Sequence, residues 1–311
     1  MPDAPRATRH AYRDRLVSLL PGHSRLVCLD TDTGLFDGDL GSRYVNIGIA
    51  EHNLMGMAAG LAASGFVPYV NTMATFAATR ALEAVKLDIA YPALPVRIMA
   101  THGGLAAGHL GPTHQALEDL AVMRALPNMT VVVPADAAAT EAVVEQSVDL
   151  PGPLYVRLGR KATPPIGADP PVIGTAQVLR TGTGPLLVCC GPHPVLACLG
   201  GADELDATVL NMHTVKPLDT ATLLRYAAGT DMVVTVEEHW RSGGLGGAVT
   251  EALAETAPVR VVRVGVPDEF VGAAGGHDAL IERYRITAAG IVHRLRPSGA
   301  STGTDPSTRE D

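Results

Sequence analysis

The sequence predicts an α/β protein made of two doubly wound domains with mostly parallel sheets. Three observations predict it. Short β-branched runs alternate with helix-period segments along most of the chain, a proline-rich stretch divides the alternation in two, and 311 residues suffice for two domains that each bury a core. Hydrophobic residues make up 47% of the chain but aromatics only 4%, so the cores have to be packed from Ala, Val and Leu.

In the first half, strands are expected at residues 26–29, 66–70, 96–100, 131–133 and 154–158, where apolar and β-branched side chains cluster between turn residues. Leu54, Met57, Ala58 and Leu61 recur at helical spacing, as do Leu117, Leu120, Ala121 and Leu126 after Pro112. The segment 160–171 carries Pro164, Pro165, Pro170 and Pro171 with little apolar content, which places the boundary there, between domains at 8–165 and 172–296. The second domain has expected strands at 186–190, 208–210, 232–236 and 259–264. Residues 297–311 are polar and lack any hydrophobic period, so they read as a disordered tail.

Several function classes drop out. Lys plus Arg total 24 against 32 Asp plus Glu, a formal charge of −8 with no basic block, which argues against a nucleic-acid partner. No apolar run approaches the roughly 20 residues that span a bilayer, and the first residues have no signal-peptide core, so the chain reads as soluble and cytoplasmic. Cys28, Cys189, Cys190 and Cys198 lack the second CxxC of a zinc set and read as buried reduced thiols.

The segment from Arg43 to Leu54 puts Gly48 just ahead of a small-residue helix with Glu51 in its first turn. A helix N-terminus favours a carboxylate, and capping alone would account for an acidic residue there. The surrounding motifs say more. The stretch NIGIAEHNLMGMAAGLAASGFVPYVNTMATF, followed by ATHGGLAAGHLGPTHQALEDLAVMRALPNMTVVVPAD, resembles the thiamine-diphosphate-binding pyrimidine domain of transketolases, in the same order. The C-terminal part, with Val236-Glu-Glu-His239, Gly243-Gly-Leu-Gly-Gly247 and Gly265-Val-Pro-Asp-Glu-Phe270, resembles the transketolase C-terminal domain. Similar patterns occur in deoxyxylulose-phosphate synthase and in β subunits of 2-oxo-acid dehydrogenases.

The resemblance implies roles residue by residue. Glu51 would hydrogen-bond the cofactor's aminopyrimidine and so help activate it, which requires a carboxyl in a dry pocket sharing a proton with a weakly basic ring nitrogen. Phe76 falls where the family stacks an aromatic ring on the pyrimidine, and Met73 where transketolases often carry a further aromatic. His102 and His114, in the ATHGG and GPTHQ motifs, match histidines that line the substrate channel, with His109 and Leu110 in the loop between them. Arg157 matches a phosphate-binding arginine, whose planar fork suits a phosphate. Asp32, in LDTDTG, corresponds to an aspartate near the cofactor.

Two departures matter. Transketolases usually have an Asp that contacts a donor hydroxyl where this chain has Leu110, and a leucine accepts no hydrogen bond, so a donor other than the usual pentose-pathway ketoses is expected. The Gly-Asp-Gly and later Asn that hold Mg²⁺ and the diphosphate have no counterpart, and the run from Phe36 to Gly41 reads as a turn. An N-terminal transketolase subunit is therefore implied as partner, holding the Mg²⁺, in an α₂β₂ heterotetramer. The implied activity is transfer of a two-carbon ketol unit from a sugar or sugar-phosphate donor to an aldehyde. A deoxyxylulose-phosphate-synthase-like or 2-oxo-acid-decarboxylating subunit, and a non-catalytic regulatory subunit, remain open. Gly243 to Gly247 lacks the GxGxxG spacing of a nucleotide site, and Glu238 and His239 read as structural or interfacial.

Overall fold

The computed structural model describes residues 4–36, 40–272 and 274–296. The expected tail and the centre of the turn between Phe36 and Gly41 lie outside these residues. Two open sheets form the framework. The first has seven strands in the order Thr214–Lys216, Thr130–Val132, Leu154–Arg157, Arg97–Thr101, Val67–Met73, Leu26–Asp30, Tyr44–Asn46, and all its pairings are parallel except the one made by Thr214–Lys216. The second has five, Arg260–Val266, Met232–Trp240, Leu186–Cys189, Thr208–Asn211 and Gln177–Arg180, with only the last antiparallel. Helices cross over between parallel neighbours, as a parallel sheet requires.

Every strand expected from the β-branched runs is present. The central strands are buried on both faces, so they read as continuous apolar runs rather than alternating ones. Five short strands escape that pattern: Tyr44–Asn46, Gln177–Arg180, Thr214–Lys216, and Arg6–Ala7 with its two-residue partner Ala162–Thr163. The strand Thr214–Lys216 has a topological consequence, because it leaves the second domain to pair with Thr130–Val132 of the first. One apolar cluster accordingly runs through the seam, joining Met129, Val131 and Val133 to Met212, Val215 and Leu223. The helix Glu51–Ala63 buries Leu54, Met55, Ala58 and Ala62 on one face. The helix expected after Pro112 is shorter than its apolar period, Asp119–Ala125, because Leu117 stays in the preceding bend, where its carbonyl accepts from Trp240 N.

All four cysteines are free and buried. No helix among the described residues is long and apolar enough to cross a membrane.

His213, fully buried beside the crossing strand, bonds the Thr175 carbonyl through Nε2 at 2.8 Å and the Thr214 hydroxyl through Nδ1 at 3.0 Å. Burial lowers its pKa to about 4, against a partial rise from the Thr175 carbonyl. The folded imidazole therefore stays neutral where the unfolded one, near 6.5, takes a proton. Its contribution to stability is complete above pH 6.5 and is lost as pH falls from there toward 4. At pH 5 the loss amounts to about 2 kcal/mol. Urea titrations at pH 7 and pH 5 should show a smaller drop in stability for His213→Gln than for the wild type, and equal drops would contradict this assignment.

Candidate active site

The residues singled out by motif gather along one edge of the seven-stranded sheet, at the carboxyl ends of its parallel strands. Asp32 follows Leu26–Asp30, Glu51 follows Tyr44–Asn46, Met73 ends Val67–Met73 with Phe76 in the next helix, Ala74–Ala78, and His102 follows Arg97–Thr101. The register explains the alignment: Asp30 pairs with Asn46 and Asn71, and Met73 pairs with Thr101. In open parallel sheets this edge is where ligands bind.

Glu51 is the first residue of its helix and only 2% exposed. Gly48, at φ +70°, turns the chain from the edge strand into the helix, its N–H donating to Asn46 Oδ1 at 2.9 Å. No side chain caps this helix, so the buried carboxylate lies at a terminus whose free N–H groups favour negative charge. Its one charged partner among the described contacts is Arg80, whose Nη1 donates to Oε2 at 2.9 Å. The Arg80 guanidinium also lies 4.4 Å over the Phe76 ring, and Phe76 meets His114 edge-on at 5.3 Å between centroids. Glu51, Arg80, Phe76 and His114 thus form one continuous set of contacts. Arg80 had no place in the motif reading. Its spacing of four from Phe76 was the available signal, and the short helix carrying Phe76 was not legible.

His102 stands just ahead of a closed loop and His114 lies within it. Gly104 and Ala116 exchange two 3.0 Å backbone hydrogen bonds that pin the ends of residues 104–116 together. His102 sits just outside, at φ +59°, with Nδ1 3.0 Å from the Thr101 hydroxyl. Burial, followed by the positive field of Arg9 and Arg160, pulls its pKa to about 4, so its imidazole is neutral at physiological pH and can donate or accept without carrying charge. His114 is half-buried, with Nδ1 2.9 Å from the Thr113 hydroxyl.

The glycines of ATHGG have a packing reason. A Cβ on Gly103 would run into the Arg157 side chain, and one on Gly104, at φ +63°, would sit 2.5 Å from Glu238 Oε1. The loop carrying His102 therefore lies directly on two charged side chains.

Asp32 is exposed, at φ +64°, with a long 3.5 Å contact from Asn46 Nδ2. The loop it stands in is tied down by Asp30, which accepts from Thr33 N at 2.8 Å and from the Tyr44 hydroxyl at 3.3 Å. Met73 is half-buried beneath Phe76's helix. His109 and Leu110 lie on the short helical turn Gly108–Leu110 at the outer rim of the loop, Leu110 being 45% exposed.

Arg157 has another occupation than the expected phosphate contact. It is 5% exposed, its Nε lies 3.1 Å from Asp119, and its Nη2 donates to the carbonyls of Ala116 and Glu238 at 2.6 and 2.8 Å. The strand-end position is as expected, but the guanidinium points into the seam and is spent on joining the loop base to the second domain. The C-terminal glycines likewise serve the chain itself: the Glu237 carboxylate accepts from Leu245 N and Gly246 N at 2.7 and 2.8 Å. That fills the helix N-terminus where a nucleotide phosphate would have to sit.

Comparison with known proteins shows the family. Residues 4–165 match the family model described as transketolase, pyrimidine binding domain, and residues 174–291 the one described as transketolase, C-terminal domain. The chain belongs to the transketolase family. Relatives include an apulose-4-phosphate transketolase subunit of Phocaeicola vulgatus, 38% identical over 298 residues covering 92% of this chain and 95% of that one. The 6-deoxy-6-sulfo-D-fructose transketolase subunit SqwH of Clostridium sp. strain MSTE9 is 38% identical over 297 residues, covering 91% and 92%. A solved structure described as a split gene transketolase, inactive beta4 tetramer, superposes with a TM-score of 0.80 at 40% identity, covering 93% of this chain and 97% of that chain. This transketolase chain is thus the second subunit of a split transketolase, a transferase component, and its family depends on thiamine diphosphate.

Proposed function

We propose that this chain supplies the pyrimidine-activating half of a two-component transketolase, with Mg²⁺ and the diphosphate of thiamine diphosphate held by an N-terminal-section partner in an α₂β₂ assembly. The observation that carries the reading is Glu51: a carboxylate almost without solvent exposure at an uncapped helix start, linked to the Phe76 ring through Arg80. These residues fit the cofactor's aminopyrimidine. The cofactor, when bound, supplies the carbanion chemistry that cleaves and remakes a carbon–carbon bond. The chain's part is to hold a proton at Glu51, to offer the Phe76 face, and to line the channel with His102 and His114. A heterocycle that stacks on Phe76 and bonds Glu51 has to move Arg80 aside, which its half-exposed side chain permits. Exposed apolar side chains close in sequence to this edge, Val45 and Ile49, and on the neighbouring segment, Leu87 and Tyr91, suit a protein partner.

The donor follows from Leu110. Lacking the hydroxyl acceptor that transketolases usually place here, the site is expected to take a ketose-type, phosphorylated donor other than the common pentose-pathway ones. The named relatives act on modified sugars, apulose 4-phosphate and 6-deoxy-6-sulfo-D-fructose, which points the same way. Reconstitution with the partner followed by a donor screen tests this. Xylulose 5-phosphate and fructose 6-phosphate should be poor donors. Efficient turnover of either overturns the specificity claim, and carbon dioxide release from pyruvate would overturn ketol transfer itself.

A further inference from the structure

Away from the Glu51 edge, three side chains from three separate elements of the second domain converge beneath the loop that carries His102. They are His193, in the helix Pro192–Leu205, Glu238, on the strand Met232–Trp240, and His277, which starts the helix His277–Arg283. One ligand atom from each lies within 4.8 Å of the others. We propose that these residues form a binding site for one zinc-class divalent cation, with two imidazoles and a carboxylate as protein ligands and a fourth position left for water.

The geometry argues for more than an ion pair. His277 Nε2 and Glu238 Oε1 are 2.8 Å apart and would be complete by themselves. His193 is the third party: its ring stands edge-on to His277 at 4.3 Å, and its Nδ1 is 3.9 Å from Glu238 Oε2, beyond a hydrogen bond. Ligands held about 2.0–2.1 Å from a tetrahedral zinc ion stand roughly 3.3 Å from one another. His277 lies 2.8 Å from one carboxylate oxygen of Glu238 and His193 3.9 Å from the other, and one atom from each residue lies within 4.8 Å of the others, so side-chain rotations that draw the three together would complete the set. Two nitrogens and one oxygen suit a borderline cation better than Mg²⁺ or Ca²⁺, which prefer oxygen.

The surroundings allow the charge. Arg157 is matched by Asp119 at 3.1 Å and Lys161 by Asp278 at 2.6 Å, so neither presents an unbalanced cation. A cavity bordered by Gly159, Lys161 and Pro192, among others, adjoins all three ligands and gives the ion a way in. Glu238 Oε1 also accepts from Leu105 N at 2.6 Å, so an ion here would brace the second domain against the loop of the first.

His193 gives the clean test, because its side chain is 21% exposed and it makes no bond to that loop. The full chain is treated with a chelator, titrated with Zn²⁺, and assayed for bound metal and melting temperature. The expected result is one Zn²⁺ per chain, a raised melting temperature, and affinity lowered at least about 100-fold in His193→Ala, whose metal-free melting temperature matches the wild type. Failure of the wild-type chain to retain zinc, equal retention by His193→Ala, or equal competition by Mg²⁺ overturns the proposal. None of these readouts depends on transketolase activity, so this site stands or falls separately from the catalytic reading.

Discussion

Glu51→Gln, assayed in the reconstituted enzyme at saturating thiamine diphosphate, is expected to lower kcat by at least about 100-fold and to leave the fold intact. The amide keeps the shape of the side chain and can still hydrogen-bond, but it cannot hold the proton that the carboxyl shares with the ring. Stability should change little. Arg80, which loses its ion-pair partner, is half exposed and can turn its charge to solvent. Glu51→Ala should fall at least as far, since it also opens a gap at the helix start. Steady-state rates and a thermal melt on the same preparation separate the two effects. Near-normal turnover of either variant with cofactor bound would remove Glu51 from the mechanism, and a collapsed melt would mean that its burial serves the fold.

Much of this site was legible because the residues that make it follow central strands. Those strands are buried on both faces and announce themselves as apolar runs, so the strands at 66–70 and 96–100 were readable locally, while Met73 and His102 just beyond them were singled out by the resemblance to transketolases. The helix start at Glu51 was readable from the glycine hinge and small-residue helix beside it, but its role came from the resemblance to transketolases. What escaped depends on contacts distant in sequence. The strand Thr214–Lys216 is three residues long and pairs with Thr130–Val132, some eighty positions earlier, so nothing local marks it. A boundary at 160–171 does separate the two sheets' main strands, yet this one strand crosses back. Arg80 and the grouping of His193, Glu238 and His277 were hidden likewise, because each partner stands on a different element.

The same limit bears on Arg157, whose type and strand-end position suited a phosphate but whose guanidinium is engaged by Asp119 and the carbonyls of Ala116 and Glu238. Asp119 is fully buried and accepts from the Tyr155 hydroxyl at 2.6 Å, and Arg157 is its only ion-pair partner among the described residues. Replacing Arg157 with Met should therefore cost roughly 3–5 kcal/mol, the penalty for leaving one member of a buried pair uncompensated, and it also frees the carbonyls of Ala116 and Glu238. The second substitution Asp119→Asn should recover part of that loss, because the amide removes the stranded charge while keeping the bond from Tyr155. Urea unfolding of the single and double variants measures both quantities. The alternative makes an opposite forecast: an arginine that binds substrate phosphate would, when replaced, raise KM for a phosphorylated donor with stability nearly unchanged. If Arg157→Met unfolds at wild-type urea concentration and only KM moves, the guanidinium faces substrate in the assembled enzyme and the seam is held by its apolar cluster alone.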